Sequence, residues 1–134
     1  LLDCTLRDGG YYNNWDFDTQ MVTELVTNLD LAGVDIIELG YKSPIKGGKY
    51  RKCNDRFIWE VLEYKTPVNS KLAFMVDAKD FIQNEINYPL IDDVIHDSSN
   101  SPFSICRLAI KHDEIESAKY YSRYEEENKK RGNI

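Results

Sequence analysis

The chain has 134 residues, of which 42% are hydrophobic and 30% are charged, and this composition excludes an extensively disordered protein. Its net charge of −6 argues against nucleic acid or an anionic membrane surface as a partner, because both need a basic face. The sequence shows neither a bilayer-spanning apolar run nor a signal-peptide pattern, so we expect a cytoplasmic protein with a small-molecule ligand.

The three cysteines are widely spaced and odd in number, which fits neither a disulfide framework nor a zinc site. Cys4 and Cys106 lie within apolar runs, where we expect buried, reduced thiols that pack as small hydrophobic groups. Neither has a local sequence that would stabilise a thiolate, so a nucleophilic role is not expected.

Apolar runs of strand length alternate with segments of helical periodicity, which is the βαβα pattern of a parallel sheet. The first strand is predicted over residues 1–7. A helix is predicted over 19–32, with Asp18 as its N-cap and Gly33 just past its end. The buried stripe of this helix follows three- and four-residue spacing: Val22, Leu25, Val26 and Leu29.

The second strand is predicted over 34–40, with Glu38 just before its end. A polar loop follows over 41–54, and then a helix with apolar residues on one side. These apolar residues are Ile58, Val61 and Leu62.

The third and fourth units repeat the alternation. A strand is predicted over 72–76, followed by a helical region over 80–95 in which Pro89 marks a helix start. The fourth strand is predicted over 103–110 and the last helix over 113–131.

Four βα units fit either an open doubly wound sheet or half of an eightfold barrel. The glycine fingerprint of a dinucleotide-binding fold is missing, because no third glycine follows Gly9 and Gly10 at the required offset. That absence weakens the open-sheet interpretation without excluding it.

Three charged residues lie at or near the predicted ends of the first two strands: Arg7, Asp8 and Glu38. Side chains there converge on the crevice where parallel α/β folds bind ligands. The Asp8 carboxylate suits a hard cation such as Mg²⁺ or Mn²⁺, and the Arg7 guanidinium suits a carboxylate or an enolate oxygen. The other interpretation is structural, an ion pair of Arg7 with Glu38 that closes the end of a barrel.

The run LDCTLRDGGY at residues 2–11, with Glu38 on the next strand and CRLAI at 106–110, resembles a known superfamily. It is the pyruvate carboxyltransferase-like, or HMG-CoA lyase-like, superfamily of metal-dependent barrels. Its members include 4-hydroxy-2-oxovalerate aldolase, HMG-CoA lyase, isopropylmalate synthase and bacterial proteins labelled aldolase catalytic domain. The resemblance spans the whole chain. It implies an α/β fold with a single domain over 1–134, a parallel (βα)4 unit that forms the N-terminal half of a TIM barrel.

The resemblance also implies an activity, that of a metal-dependent carbon–carbon bond lyase. Such an enzyme would cleave a 4-hydroxy-2-oxo acid into a pyruvate-type enolate and an aldehyde. Asp8 would be a ligand of Mn²⁺ or Mg²⁺, Arg7 would stabilise the enolate, and Glu38 would orient the site. Arg107 would add to the anion pocket or form a structural salt bridge.

Two features depart from the family pattern. Tyr11 stands where the aldolases have a His that serves as base, and a tyrosine is a poor base at neutral pH. Tyr11 and Tyr12 therefore either line the pocket mouth or take part in proton transfer. The His-x-His pair that completes the family's metal site is also missing, since His96 and His112 are too far apart in sequence.

Two other functions stay open. A Schiff-base aldolase would use Lys42 or Lys111, although neither has apolar neighbours in sequence that would lower its pKa. A half-barrel scaffold would pair its exposed sheet edges with a second copy, giving a homo-oligomer. We expect the isolated chain to self-associate and to be a weak catalyst, with a longer parent protein as the enzyme.

Overall fold

The computed structural model describes residues 1–45, 47–82, 88–95 and 100–115. Its central element is a four-stranded parallel sheet in the order β1-β2-β3-β4. The strands are β1 Leu2–Asp3, β2 Ile36–Tyr41, β3 Lys71–Asp77 and β4 Ile105–Ala109. Each strand pairs with the next along the chain, as in half of a TIM barrel, whereas a doubly wound sheet reverses its order. The predicted α/β half-barrel fold is confirmed.

Helices and short turns connect the strands. They are α1 Thr5–Asn13, α2 Thr19–Leu31, α3 Lys49–Lys52, α4 Asp55–Val61 and α5 Tyr88–Ile95, with 3-10 turns at Ala78–Phe81 and His112–Glu114. Across the described ranges, every helix is too short or too polar to cross a membrane. Of the helix predicted over 113–131, all beyond residue 115 lies outside the described residues.

Helix α2 matches its prediction closely. The Asp18 carboxylate accepts a hydrogen bond from the Met21 N–H at 3.0 Å, and Gly33 has a φ of 77° just past the helix end. Val22 and Val26 are buried in the core, and the other two residues of the predicted stripe, Leu25 and Leu29, are half-buried against it. Local capping and periodicity were sufficient to predict this element.

The first strand is present, but its predicted extent over 1–7 was wrong, because β1 ends at Asp3 and helix α1 begins at Thr5. The Asp3 carboxylate accepts hydrogen bonds from the Thr5 N–H at 3.1 Å and from its hydroxyl at 2.9 Å. This local side-chain contact holds the chain in a turn where a strand would need it extended. Arg7 and Asp8 therefore lie on the helix after β1 and not on the strand itself.

Other elements differ from their predicted bounds by a few residues. Strand β2 continues to Tyr41, which makes Glu38 the third of its six residues, and its pairing with β3 shifts register between Glu38 and Gly40. The loop predicted over 41–54 contains the short helix α3. In the region predicted as helical over 80–95, the described residues form the end of the 3-10 turn Ala78–Phe81 and α5, and Pro89 is the second residue of α5.

The sheet separates an apolar face from a charged one. On the charged face, Glu38 aligns with Ala73, and Met75 aligns with Arg107 on β4. The neighbouring positions on the strands enter the hydrophobic core together with the buried residues of α2 and α4: Ile37, Leu39, Leu72, Phe74, Val76, Val22, Val26 and Ile58. The charged face carries the candidate site.

The burial predicted for two cysteines was wrong. Cys4 lies outside β1 and is half-buried, and Cys106 is exposed on β4. The fully buried thiol is that of Cys53, which packs beneath Gly40 in the core. Burial raises the pKa of the Cys53 thiol well above its ordinary value, so it is an inert packing group.

Candidate active site

One buried carboxylate holds two arginines together on the charged face. Glu38 is fully buried, and its Oε2 accepts hydrogen bonds from Arg7 Nε at 3.2 Å and from Arg107 Nη1 at 2.8 Å. The Arg7 side chain is 16% exposed and that of Arg107 is 40% exposed. We call these three residues the Glu38 cluster. The predicted convergence of Arg7 and Glu38 is present, and Arg107 joins it from two strands away.

The Glu38 cluster is incompletely satisfied. Glu38 Oε1 is buried and has no hydrogen-bond partner among the described residues. An unpaired buried acceptor costs about 1 to 3 kcal/mol, more when it is charged, so such groups are uncommon in a purely structural core. Each guanidinium has five N–H donors, and the bonds to Glu38 use only part of this capacity. The cluster therefore has the donors to hold an anion.

Asp8 extends the cluster toward solvent. Its Oδ1 lies 2.5 Å from Arg7 Nη1, and its Oδ2 accepts a hydrogen bond from the Cys4 thiol at 3.3 Å. The bond to Asp8, followed by burial, raises the pKa of Cys4, so this thiol stays protonated as a donor. More than half of the Asp8 side chain is exposed. The structure thus places Asp8 beside Arg7 with its carboxylate accessible.

A divalent metal has only part of its ligand set here. Carboxylate oxygen is the right donor for Mg²⁺ or Mn²⁺, and Asp8 is the exposed carboxylate of the site. The described parts of the chain contain no group of three or more His, Cys, Asp or Glu placed to hold a metal. Asp8 fits a single ligand, and these residues alone do not complete a metal centre.

Tyr11 pairs with a tyrosine that the sequence analysis missed. The hydroxyl oxygens of Tyr11 and Tyr41 lie 2.9 Å apart. Burial, together with the hydrogen bond between the Tyr41 and Tyr11 hydroxyls, raises the pKa of Tyr41 to about 12, and the nearby Arg7 only partly opposes this rise. Tyr41 is the last residue of the strand that carries Glu38, whereas the polar composition of residues 41–54 predicted that a loop begins there. The available signal was its position directly after Gly40, at a strand end.

Trp15 supports this arrangement and was also missed. It is buried, and its indole N–H donates to the carbonyl oxygen of Arg7 at 3.0 Å. Its ring lies edge-on to Tyr11 and to Tyr41, with centroid distances of 4.7 and 5.5 Å. Trp15 has a φ of 56°, a left-handed conformation that costs a bulky residue energy. The fold accepts this strain to place one ring against several residues of the site.

Lys42 occupies a different cleft, of about 560 Å³, whose lining does not include the Glu38 cluster. Two aromatic rings that are distant in sequence pack against it, since its ammonium lies 4.7 Å from the ring centre of Phe74 and 5.4 Å from that of Phe103. It also forms an ion pair with Asp55 at 2.6 Å. Sequence neighbours could not reveal this environment because the rings come from later strands and loops.

The remaining candidates lie apart from the Glu38 cluster. Lys111 and His112 are exposed at the end of the described chain, and Tyr12 is almost fully exposed. His96 lies outside the described residues. The structure thus brings together Arg7, Asp8, Glu38, Tyr11 and Arg107, and it keeps Lys42 separate.

The comparison with solved structures found a similar protein. It is described as "the N-terminal domain of a putative aldolase" from Bacteroides vulgatus, with a TM-score of 0.61 and 28% identity. The match covers 87% of this chain and 37% of that one, so the chain spans well under half the length of that protein. No protein-family model matches the chain, and no curated protein matches it. The chain therefore has an α/β fold similar to an aldolase domain.

Proposed function

We propose that this chain is the N-terminal part of an aldolase that cleaves a 4-hydroxy-2-oxo acid to a pyruvate-type enolate and an aldehyde. The observation that carries the proposal is the Glu38 cluster, in which a buried carboxylate fixes two arginines with donors to spare. Its similarity to the aldolase domain from Bacteroides vulgatus supports the reaction class. The family resemblance of residues 2–11 supports the choice of substrate.

Each residue has a role in binding or orientation. Arg7 and Arg107 would hold the carboxylate and the developing enolate oxygen of the substrate, because planar guanidinium groups match both. Glu38 would orient the two guanidinium groups and prevent them from repelling each other. These groups are fixed before substrate arrives, so little reorganisation is needed when negative charge develops.

A divalent metal is part of the proposal. Asp8 would supply one carboxylate ligand to Mn²⁺ or Mg²⁺, and the other ligands would come from outside the described residues. When bound, the ion would act as a Lewis acid toward the keto group of the substrate. Arg7, which touches both Asp8 and Glu38, would place the substrate beside that position.

The test is manganese-stimulated release of pyruvate from 4-hydroxy-2-oxo acids by the complete natural protein that contains this chain. Arg7→Ala should lower kcat/KM by about 100-fold or more, because it removes a donor to the developing oxyanion. Arg56→Ala is the matched control, since this arginine is exposed and pairs with Glu60 one helical turn away. Equal activity in the Arg7→Ala variant and the control would refute the proposal.

A scaffold role remains a second candidate, because the sheet has two edges among the described strands. β1 and β4 each pair with one neighbour only, and an unpaired edge is a template for another chain. Sedimentation of the 134-residue chain tests the expected homo-oligomer. A strictly monomeric, folded chain would argue against edge pairing.

A further inference from the structure

The pair of tyrosines links the solvent to the interior of the site. The two hydroxyl oxygens lie 2.9 Å apart, with Tyr11 65% exposed and Tyr41 only 6% exposed. Tyr41 ends β2, three residues beyond Glu38, and its hydroxyl lies near Arg7. A proton entering at the exposed hydroxyl can therefore reach the buried one through a single hydrogen bond.

Several contacts hold the two rings in place. Trp15 packs edge-on against both, and its indole N–H is bound to the carbonyl oxygen of Arg7. The Arg51 guanidinium lies over the Trp15 ring, 4.5 Å from its centre, and 5.7 Å from that of Tyr41. Proton transfer needs groups held within hydrogen-bond reach, and these contacts supply that order.

Tyr41 is protonated at neutral pH and is therefore suited to donate a proton. With a pKa of about 12, Tyr41 keeps its proton at neutral pH, so it can act as an acid and not as a resting base. The carbon of an enolate is basic enough to accept a proton from a phenol. Arg7 provides positive charge near the phenolate that would form for a moment after this transfer.

We propose that Tyr41 is the general acid that protonates the enolate carbon and that Tyr11 resupplies its proton from solvent. The inference rests on the proposed aldolase function. The Tyr41 O–H bond breaks, the enolate electron pair forms the new C–H bond, and the keto group is restored. Tyr11 then gives its proton to the Tyr41 phenolate and takes one from water. A separate base removes the substrate hydroxyl proton and returns it to solvent, so the protons balance.

In this proposal Tyr11 supplies a proton and does not act as the base. A tyrosine at the position of the expected base is then the outer half of an acid pair, and the base is a different group. The two half-reactions at this site then depend on different groups. Carbon–carbon cleavage needs the base and the arginines, while release of pyruvate from its enolate needs Tyr41.

The experiment measures exchange of the pyruvate methyl hydrogens in D₂O by NMR, using the complete natural protein with Mn²⁺. Tyr41→Phe keeps the ring against Trp15 and removes only the hydroxyl. It should slow exchange by about 100-fold or more with little change in the KM for pyruvate. Tyr11→Phe should slow exchange by a smaller factor, about tenfold, because water can partly replace an exposed hydroxyl. Tyr12→Phe, one residue away and exposed, is the matched control and should exchange normally.

The outcomes separate this role from the proposed function. Normal exchange in both wild type and Tyr41→Phe would overturn the role of Tyr41 and leave the aldolase proposal standing. A higher KM with unchanged kcat in Tyr41→Phe would also overturn it, because the hydroxyl would then only bind substrate. A wild-type protein that neither exchanges nor cleaves would remove both proposals. If Tyr41→Phe loses its circular dichroism signal, Tyr11→Phe decides the question.

Discussion

Two of the buried charges among the described residues, those of Glu38 and Lys42, are built into the fold differently. Glu38 is enclosed beneath two arginines that reach toward solvent, and its Oε1 has no partner among the described residues. Lys42 is enclosed by two aromatic rings, and its charge is matched by the single carboxylate of Asp55. The arginines around Glu38 have N–H donors available to a ligand, whereas the charge of Lys42 is neutralised by Asp55 within the fold. Burial of a charge alone therefore does not identify a reactive group.

The largest effect is expected from Glu38→Gln, which keeps the shape of the side chain but removes the charge that holds both arginines. Removing one partner of a buried ion pair costs up to 5 kcal/mol, and the partial exposure of the arginines places this change near 3 kcal/mol. Urea unfolding measures it. Glu60→Gln is the control, because its exposed pair with Arg56 should change stability by less than about 1 kcal/mol. Equal losses of unfolding free energy in Glu38→Gln and Glu60→Gln would show that the buried Glu38 is no more important to stability than an exposed carboxylate.

Lys42→Met tests the pairing of Lys42 with Asp55. It leaves Asp55 without its partner, and because Asp55 is partly exposed we expect a loss of about 2 kcal/mol. The double variant Lys42→Met with Asp55→Leu should recover to within about 1 kcal/mol of the wild type, since an apolar pair can replace a buried ion pair.

Borohydride trapping with pyruvate tests the same lysine chemically. Lys42 is held in an ion pair with Asp55 at 2.6 Å and is not presented to a substrate carbonyl, so we expect no reduced adduct at Lys42. Mass spectrometry after digestion would detect one. An adduct at this residue would make Lys42 reactive and would place the chemistry in the second cleft.

Two adjacent glycines of α1 test the support behind the Glu38 cluster. A Cβ at Gly10 would lie 2.1 Å from the buried Trp15 ring, so Gly10→Ala should destabilise the fold by about 1 to 2 kcal/mol and displace the support of Arg7. A Cβ at Gly9 would meet nothing closer than 3.7 Å, so Gly9→Ala should be neutral or stabilising by up to about 1 kcal/mol. Thermal unfolding compares them. The same sign in both variants would contradict the packing role of Trp15.

The smallest effect concerns Asp30, a buried carboxylate that belongs neither to the Glu38 cluster nor to the pair of Lys42 with Asp55. Burial alone would raise its pKa, but hydrogen bonds from the N–H groups of Val68, Asn69 and Ser70 lower it below its ordinary value of 3.8. A lowered pKa contributes stability that is present above pH 3.8 and is lost as the pH falls through the folded value. Stability should therefore fall less steeply in acid for Asp30→Asn than for the wild type. Urea midpoints measured from neutral pH to below pH 3.8 test this. An unchanged acid profile would contradict the role of these bonds.

The sequence by itself determined the elements whose causes are local. Asp18, Gly33 and the stripe of Val22 and Val26 predicted α2 because capping and periodicity act within a few residues. Each strand and helix segment was also recognisable from its local hydrophobic pattern, and their alternation predicted a parallel sheet. The charged residues near the first two strands also indicated where a site would form, because parallel strands end at one edge.

Only the tertiary structure decided which distant residues meet. Arg107 reaches Glu38 from 69 positions away, Tyr41 pairs with Tyr11 across 30, and the rings of Phe74 and Phe103 enclose Lys42. No local pattern encodes these contacts, because they depend on sheet register and on the turn that makes α1 a helix. Burial and partnership are properties of the assembled core, and they distinguish Glu38 from Lys42.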